Sequence, residues 1–320
     1  MKKYLALAGV ALGLLCTGAQ ADTWPGKQPV SMIVGFSPGG STDIVARLVA
    51  DRLSKKLDDT FVVENRPGAN GDLAAVAVKK ARPNGYTLLV APDAIVTSPA
   101  VRTTGYDPVA DFEPIAMLSR GPLVLVLNPN TQASSVAQLV GLLKSHPGKY
   151  SFGSSGVGNN QHFAGEKFKA MTGVSITHIP YKGGGQAIAD LVAGQIPMAF
   201  LGTGPVMPQL RAGKLKVLAV TTIKRFPGLP EVPTLDESGL KGFDMSQWIA
   251  LMAPKGTPPE VIRKLNAALD GVLADATIKE RFLESGMETQ HMSPAEVTAQ
   301  IKKDLAAYRH LADTLHMRTE

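Results

Sequence analysis

Two stretches of this chain place glycine and small polar residues just before a helix, an arrangement suited to an anion. The first is Phe36-Ser37-Pro38-Gly39-Gly40-Ser41-Thr42-Asp43, after an apolar run. Its glycines let the backbone come close to a ligand. Ser41 or Thr42 is placed to cap the following helix. Free N–H groups and the positive dipole end of a helix start attract carboxylate or phosphate. The loop lacks both the lysine of a phosphate-binding P-loop and the G-x-G-x-x-G spacing, so a small anion fits better than a nucleotide. An ordinary capped turn would use the same residues without any ligand. The second stretch, Gly153-Ser154-Ser155-Gly156-Val157-Gly158-Asn159-Asn160-Gln161-His162, repeats the device with neutral donors and acceptors, which hold a carboxylate without a salt bridge. Its serines lack the G-x-S-x-G elbow of a hydrolase. His162 reads as a helix-start histidine bonded locally, and its spacing to Glu166 alone makes a weak metal site.

Two more apolar runs end in glycine: Tyr181-Lys182-Gly183-Gly184-Gly185 and Gly202-Thr203-Gly204-Pro205. Tyr181 offers a flat face and a hydroxyl to a cleft, whereas Lys182 reads as solvated. Such strand-end loops are where open α/β sheets bind ligands. The other histidines (His146, His178, His291, His310 and His316) show no ligand spacing, and nothing assembles a nucleophile, a base and an orienting acid. No enzyme, metal site or cofactor is expected.

These loops need a scaffold that alternates strand and helix. Apolar runs at 30–36, 61–63, 88–91, 115–119, 123–127, 150–153, 176–180, 198–201, 217–220 and 249–253 read as strands buried on both faces of parallel sheets. Helices are expected at 44–57, 135–143, 163–171, 187–193 and 257–273, the last opened by a Thr257 cap, and from Ser293-Pro294-Ala295-Glu296 to about 315. This is an α/β pattern. The run from 115 to 127 looks like one strand interrupted at Gly121-Pro122, a candidate crossing between two domains, with 245–253 as the return and Trp248 as hinge packing. The expected division is 22–121 plus 246–320 for one domain and 122–245 for the other.

Lys2-Lys3, a short apolar run to Cys16 and Ala19-Gln20-Ala21 read as a signal peptide over residues 1–21, cleaved before Asp22. The single cysteine leaves with it, and Leu15 spoils a lipid-anchor signal. What remains has 31 basic and 27 acidic residues, about +4, scattered rather than clustered. That excludes a nucleic-acid binder, since no basic stripe with aromatics occurs. With 44% hydrophobic and 19% charged residues, the chain has enough apolar surface for a large core. A soluble protein exported from the cytoplasm is expected.

The run Ile33-Val34-Gly35-Phe36-Ser37-Pro38-Gly39-Gly40-Ser41-Thr42-Asp43-Ile44-Val45-Ala46-Arg47 resembles the opening motif of the Bug-type proteins, the periplasmic substrate-binding subunits of tripartite tricarboxylate transporters. Further matches are Val63-Glu64-Asn65-Arg66-Pro67-Gly68-Ala69, Asn84-Gly85-Tyr86-Thr87-Leu88-Leu89, Gly153 through Gly173, His178-Ile179-Pro180-Tyr181-Lys182-Gly183-Gly184-Gly185, Ala219-Val220-Thr221, Val232-Pro233-Thr234-Leu235 and Ala253-Pro254-Lys255-Gly256-Thr257-Pro258. The resemblance spans nearly all of the chain after residue 21. It implies a two-domain, type II periplasmic-binding-protein fold that closes on a small organic carboxylate and passes it to membrane transporter subunits, as a monomer without cofactor. Residues 36–43 would supply one half-site and 154–162 the other, with Tyr181 and Gly183 on the floor. The candidate ligand-binding set is Phe36, Ser37, Gly39, Gly40, Thr42, Asp43, Asp93, Ser154, Ser155, Gly156, Asn159, His162, Tyr181, Gly183 and Gly204.

Three departures from the family pattern stand out: Gly35 for a more usual proline, Asn70-Gly71-Asp72 in a usually glycine-rich stretch, and Ala91-Pro92-Asp93-Ala94-Ile95-Val96 for a small-polar loop. Asp93 would receive an amine or hydroxyl if it faces the cleft, and is otherwise a turn residue. A sensing role at a receptor and an exported α/β enzyme acting on a small carboxylate are the alternative functions.

Overall fold

The computed structural model describes residues 24–26 and 28–318. The signal-peptide reading, with Cys16 and the cleavage after Ala21, lies outside the described residues. In chain order the elements are β1 (Val30–Val34), α1 (Ser41–Leu57), β2 (Phe61–Asn65), α2 (Asp72–Lys79), β3 (Thr87–Pro92), α3 (Ala94–Val101) and β4 (Phe112–Leu127). There follow α4 (Val136–Ser145), β5 (Tyr150–Ser154), α5 (Asn160–Thr172), β6 (Ile176–Pro180), α6 (Gly184–Val192), β7 (Met198–Gly202), α7 (Thr203–Arg211) and β8 (Lys216–Val220). The chain ends with β9 (Ser246–Pro254), α8 (Pro259–Ala274), α9 (Ala276–Glu284), β10 (Glu288–Thr289) and α10 (Pro294–Thr314).

Strand β4 serves two sheets. From Phe112 to Pro122 it pairs antiparallel with β9, and from Leu123 to Leu127 it pairs with β7 and β8. One sheet runs β2-β1-β3-β9-β4, the other β4-β7-β5-β6. The interruption expected at Gly121-Pro122 does not occur, because the strand is continuous. Proline has no N–H to give a ladder, and Pro122 sits where β4 changes partners. The sheets are mixed rather than parallel. Pairs β1–β2, β1–β3, β5–β6 and β5–β7 are parallel, whereas β4 and β9 run against their neighbours. Those two strands cross between the sheets instead of returning through a helix, so nothing forces them parallel.

Helices cover both faces of each sheet, which is why the strands read as apolar runs. Around the first sheet, Val45, Val49 and Leu53 of α1 pack with Leu265 and Leu269 of α8 on one face. Ala74 and Val78 of α2, Ile95 of α3 and Val297 and Ile301 of α10 cover the other. Around the second sheet, α4 and α5 contribute Leu139, Leu143, Phe163 and Phe168 to one core, and α6 and α7 contribute Ala187, Leu191, Val206 and Met207 to the opposite one. Helix α10 braces the two lobes, since Val297 and Ile301 pack on the first while Ala312 packs on the second.

Ser293 and Glu296 form the expected capping box. The threonine cap expected for α8 is absent: Pro258 occupies the N-cap and Thr257 donates back to the Pro254 carbonyl at 2.8 Å. Neither Ser41 nor Thr42 caps α1, whose N-cap is Gly40. Four helices, α2, α3, α7 and α9, are present where none was expected. Each is short, and α3 and α7 carry an internal proline.

Candidate functional site

The loop between β1 and α1 is held by a carboxylate. Asp43, in the first turn of α1, accepts from the Gly39 N–H at 3.0 Å, from Arg47 Nε at 3.1 Å and from Asn65 Nδ2 at 2.9 Å. Asn65 Nδ2 also donates to the Phe36 carbonyl at 3.0 Å. Burial pushes the Asp43 carboxyl up, but the bonds from Arg47, Gly39 and Asn65 together outweigh it and hold the group below the usual carboxylate range. Asp43 thus pins the loop through these three partners. Because the Ile44 N–H is the first to bond back into the helix, to the Gly40 carbonyl, those of Ser41, Thr42 and Asp43 have no helical partner.

The loop between β5 and α5 is built on the same plan. The Asn159 side chain caps α5 by accepting from the His162 N–H at 2.9 Å, which leaves the N–H groups of Asn160 and Gln161 without a helical partner. Behind the loop, His162 stacks on His178 with ring centroids 3.9 Å apart, and His178 stacks on Phe152. His178 Nε2 lies 2.7 Å from Ser154 Oγ, and the Gly158 N–H donates to His162 Nδ1 at 3.1 Å. Burial lowers His162 to about 4; burial, then His162 beside it, lowers His178 to about 3. Both rings are therefore neutral at neutral pH and shape the loop.

These loops meet across a pocket. One wall carries Phe36, Gly40, Ser41 and Thr42, and the facing wall Ser155, Asn159, Asn160 and Gln161. Gly184 at the start of α6, Ala94 at the start of α3, and Gly202 and Pro205 around the start of α7 complete it, with Leu123 and Gln247 from the crossing strands. Helix N-termini converge here, and among the described residues no lysine or arginine lines the space. The Ser41 hydroxyl is buried and has no hydrogen-bond partner among the described residues.

Asp93 is not a solvent-facing turn residue. It is 5% exposed and lines the pocket. Its Oδ2 accepts from Asn160 Nδ2 at 2.7 Å. Asn160 Nδ2 also donates to the Ser246 carbonyl at 2.6 Å, and its Oδ1 accepts from the Tyr308 hydroxyl at 2.9 Å. One side chain of α5 therefore ties together the first lobe, the crossing strand β9 and the brace helix. Burial pushes the Asp93 carboxyl up to about 7, against the bond from Asn160, and Asp304 of α10 adds to the rise.

Of the other candidates, Phe36, Gly40, Thr42, Ser155 and Asn159 line this pocket, while Gly156 and Tyr181 line an adjoining outer cavity that also includes Phe36, Ser155, Asn70, Arg102 and Lys182. The Tyr181 hydroxyl donates to Asp190 at 2.8 Å, and Tyr181 lines the outer cavity rather than the deep pocket. Asp43, Ser154 and His162 hold the loops by hydrogen bonds, and Gly39, exposed in its loop, gives its N–H to Asp43. Ser37 and Gly183 touch across the mouth: a Cβ at Gly183 would lie 3.2 Å from that of Ser37. At Gly204 it would fall 2.7 Å from the Ser285 carbonyl oxygen.

The candidate set left out Ser41, Asn160 and Gln161, although all three lie in the two stretches read as half-sites and line the pocket. Gln247 and the pairing of His178 with His162 were missed, since they carry no local signal: remote strands bring the partners together. The departures at 70–72 have a structural reason as well. Asp72 accepts from Arg102 at 2.7 Å and from the Tyr106 hydroxyl at 3.0 Å, and Arg102 reaches the Val157 carbonyl of the facing loop at 3.3 Å. A Cβ at Gly35 would lie 2.6 Å from the Gly71 Cα, so these two glycines suit each other. Trp248 is buried, and its indole N–H donates to Asp304 at 2.8 Å.

Residues 45–316 match the model of the tripartite tricarboxylate transporter family receptor. The chain belongs to this family. Protein BugT of Bordetella pertussis is 37% identical over 292 residues, 89% of each chain. An R. palustris protein solved with adipate is 35% identical, with a TM-score of 0.89 over 92% of this chain and 98% of that one. MatC from Rhodopseudomonas palustris, solved with bound malate, is 29% identical, with a TM-score of 0.84 over 89% of this chain and 98% of the other. The receptor has the two-domain type II periplasmic-binding-protein fold, an α/β architecture with the cleft between its lobes. Among the described residues, no helix is long and apolar enough to cross a membrane.

Proposed function

We propose that this receptor captures a small organic carboxylate in its interlobe cleft, outside the cytoplasm, and hands it to the membrane subunits of a tripartite tricarboxylate-type transporter. The observation that carries this is the convergence of the starts of α1 and α5 on one pocket without a cation. Helix N-termini and neutral donors suit a small anion such as a carboxylate. The adipate and malate found with similar proteins are carboxylates of this kind. In this reading the protein is a monomer that catalyses no reaction and needs no cofactor.

Capture needs motion. The lobes meet through Asp93–Asn160, Arg102–Val157 and a Ser37 hydroxyl 3.4 Å from the Lys182 carbonyl. A ligand gripped from both sides must enter with these apart, and it closes the cleft only by binding the closed form better. The hinge in this reading is where β4 and β9 cross, at Gly121-Pro122 and Ser246-Gln247, with 22–121 plus 246–320 on one side and 122–245 on the other. Calorimetry against a panel of dicarboxylates, tricarboxylates, aromatic acids and amino acids, with small-angle scattering on each binder, tests it. Binding of at least one acid with a falling radius of gyration is expected. No binding across the panel, or turnover of a bound acid, would refute the reading.

A further inference from the structure

Among the described residues, Asp93 is the only charged side chain lining the deep pocket. It forms no ion pair with any described residue. The groups that act on it are Asn160 of α5, Asp304 of α10, and the backbone N–H groups of Trp248 on β9 and Ala94 on α3. From the same helix α10, the Tyr308 phenol also faces it. None of these is a cation; Arg120 of β4 acts on Tyr308 and donates to Ser246 Oγ at 2.9 Å, but makes no ion pair with Asp93. A buried carboxylate without a cationic partner is unfavourable unless a proton or a bound group neutralises it. Here it stands on the wall of a pocket whose helix starts draw in a second carboxylate. A ligand with only anionic groups would set like charges together in a space of low polarity. A ligand that also carries a positive donor would satisfy both walls at once.

Resting on the carboxylate-binding reading above, we propose that Asp93 is a specificity-determining residue that makes the pocket select a carboxylate bearing a neighbouring ammonium group over the same acid with a hydroxyl or a hydrogen there. The ammonium faces Asp93, and the carboxylate takes the N–H groups at the starts of α1 and α5. The rise of the Asp93 carboxyl to about 7 gives this a second signature. At pH 7 the group is partly protonated; an ammonium beside it favours the ionised form and drives a proton off, while a plain dicarboxylate draws one in.

The test is calorimetry of the full mature chain at pH 7 with succinate, malate and aspartate, and with adipate and 2-aminoadipate, in buffers of different ionisation enthalpy. The amino acid of at least one series should bind ten or more times tighter than its plain counterpart, with malate between succinate and aspartate, and with net proton release. Asp93→Asn should narrow that preference to less than threefold. Plain acids binding as tightly as amino acids, proton uptake with the amino acids, or a preference that survives Asp93→Asn would overturn the proposal. The wild-type series and the proton count decide even if the variant does not fold. Plain acids bound and amino acids refused would sink this inference alone. No binding by any acid in either series would sink the carboxylate reading with it.

Discussion

Changing Asn160 to aspartate tests whether the two lobes meet through this side chain when ligand binds. The shape is kept, but an amide that donates to Asp93 Oδ2 at 2.7 Å becomes a second carboxylate. Two ionised carboxylates at that distance repel by about 6 kcal/mol at an effective dielectric constant of 20. The pair therefore closes only by taking up a proton. Above the pKa of the pair, that uptake costs about 1.4 kcal/mol per pH unit, which is tenfold in affinity. In the open form the carboxylates are apart and both ionise. Asn160→Asp should thus bind its acid about tenfold more weakly with each unit of pH from 7 to 9. The wild type, in which Asn160 supports the ionised Asp93, should level off above about pH 8. Calorimetry from pH 6 to 9 reads both curves. A variant whose pH profile parallels the wild type, or whose loss is equal at pH 6 and pH 9, would show that the contact is not made on closure.

Asp93 has a folded-state pKa raised to about 7, so the native form keeps a proton that the unfolded chain gives up, and its stability contribution falls as pH rises from about 4 to 7. Asp93→Asn should therefore melt several degrees higher than the wild type at pH 8, with the gain vanishing toward pH 4 in a calorimetric scan. The stacked histidines act in the opposite sense: His162 and His178 are lowered to about 4 and about 3, so their contribution is complete above about pH 6.5 and is lost as pH falls through those values. His178→Phe keeps the stack on Phe152 and should flatten the fall of the melting temperature between pH 6 and 4; an unchanged slope would contradict this. Asp43→Asn removes the charge that holds Gly39, Arg47 and Asn65 and should weaken ligand affinity about tenfold, consistent with about 1.5 kcal/mol for a hydrogen bond to a charged group. Equal affinity in titration would mean that the loop holds its shape without Asp43.

Much of the scaffold was legible because its strands are buried on both faces and read as apolar runs, and because the loops that end them carry glycine. The same apolar character hid the direction of β4 and β9, since antiparallel and parallel core strands have the same composition. Helices α3 and α7 were invisible for a related reason: their internal prolines and short length mimic loop residues, while tertiary packing holds them helical. At the site, residues 36–43 and 153–162 could be picked out because helix starts need small polar residues. Asp93 and Asn160 could not be paired from sequence, as their contact depends on how two lobes meet. The supporting roles of Asp43, Ser154 and His162 were equally hidden, because a residue that bonds the loop from behind has the same type as one that faces the ligand.

The most direct measurement is a crystal structure of the receptor with the acid that copurifies with it or binds tightest in calorimetry. The account predicts a carboxylate between the lobes, its oxygens within hydrogen-bonding distance of N–H groups at the starts of α1 (Ser41, Thr42) and α5 (Asn160, Gln161), directly or through one water. Such a ligand would make no contact with a lysine or arginine in the deep pocket. A carboxylate seated instead on Arg102 or Lys182 in the outer cavity, or bound away from the cleft, would contradict it.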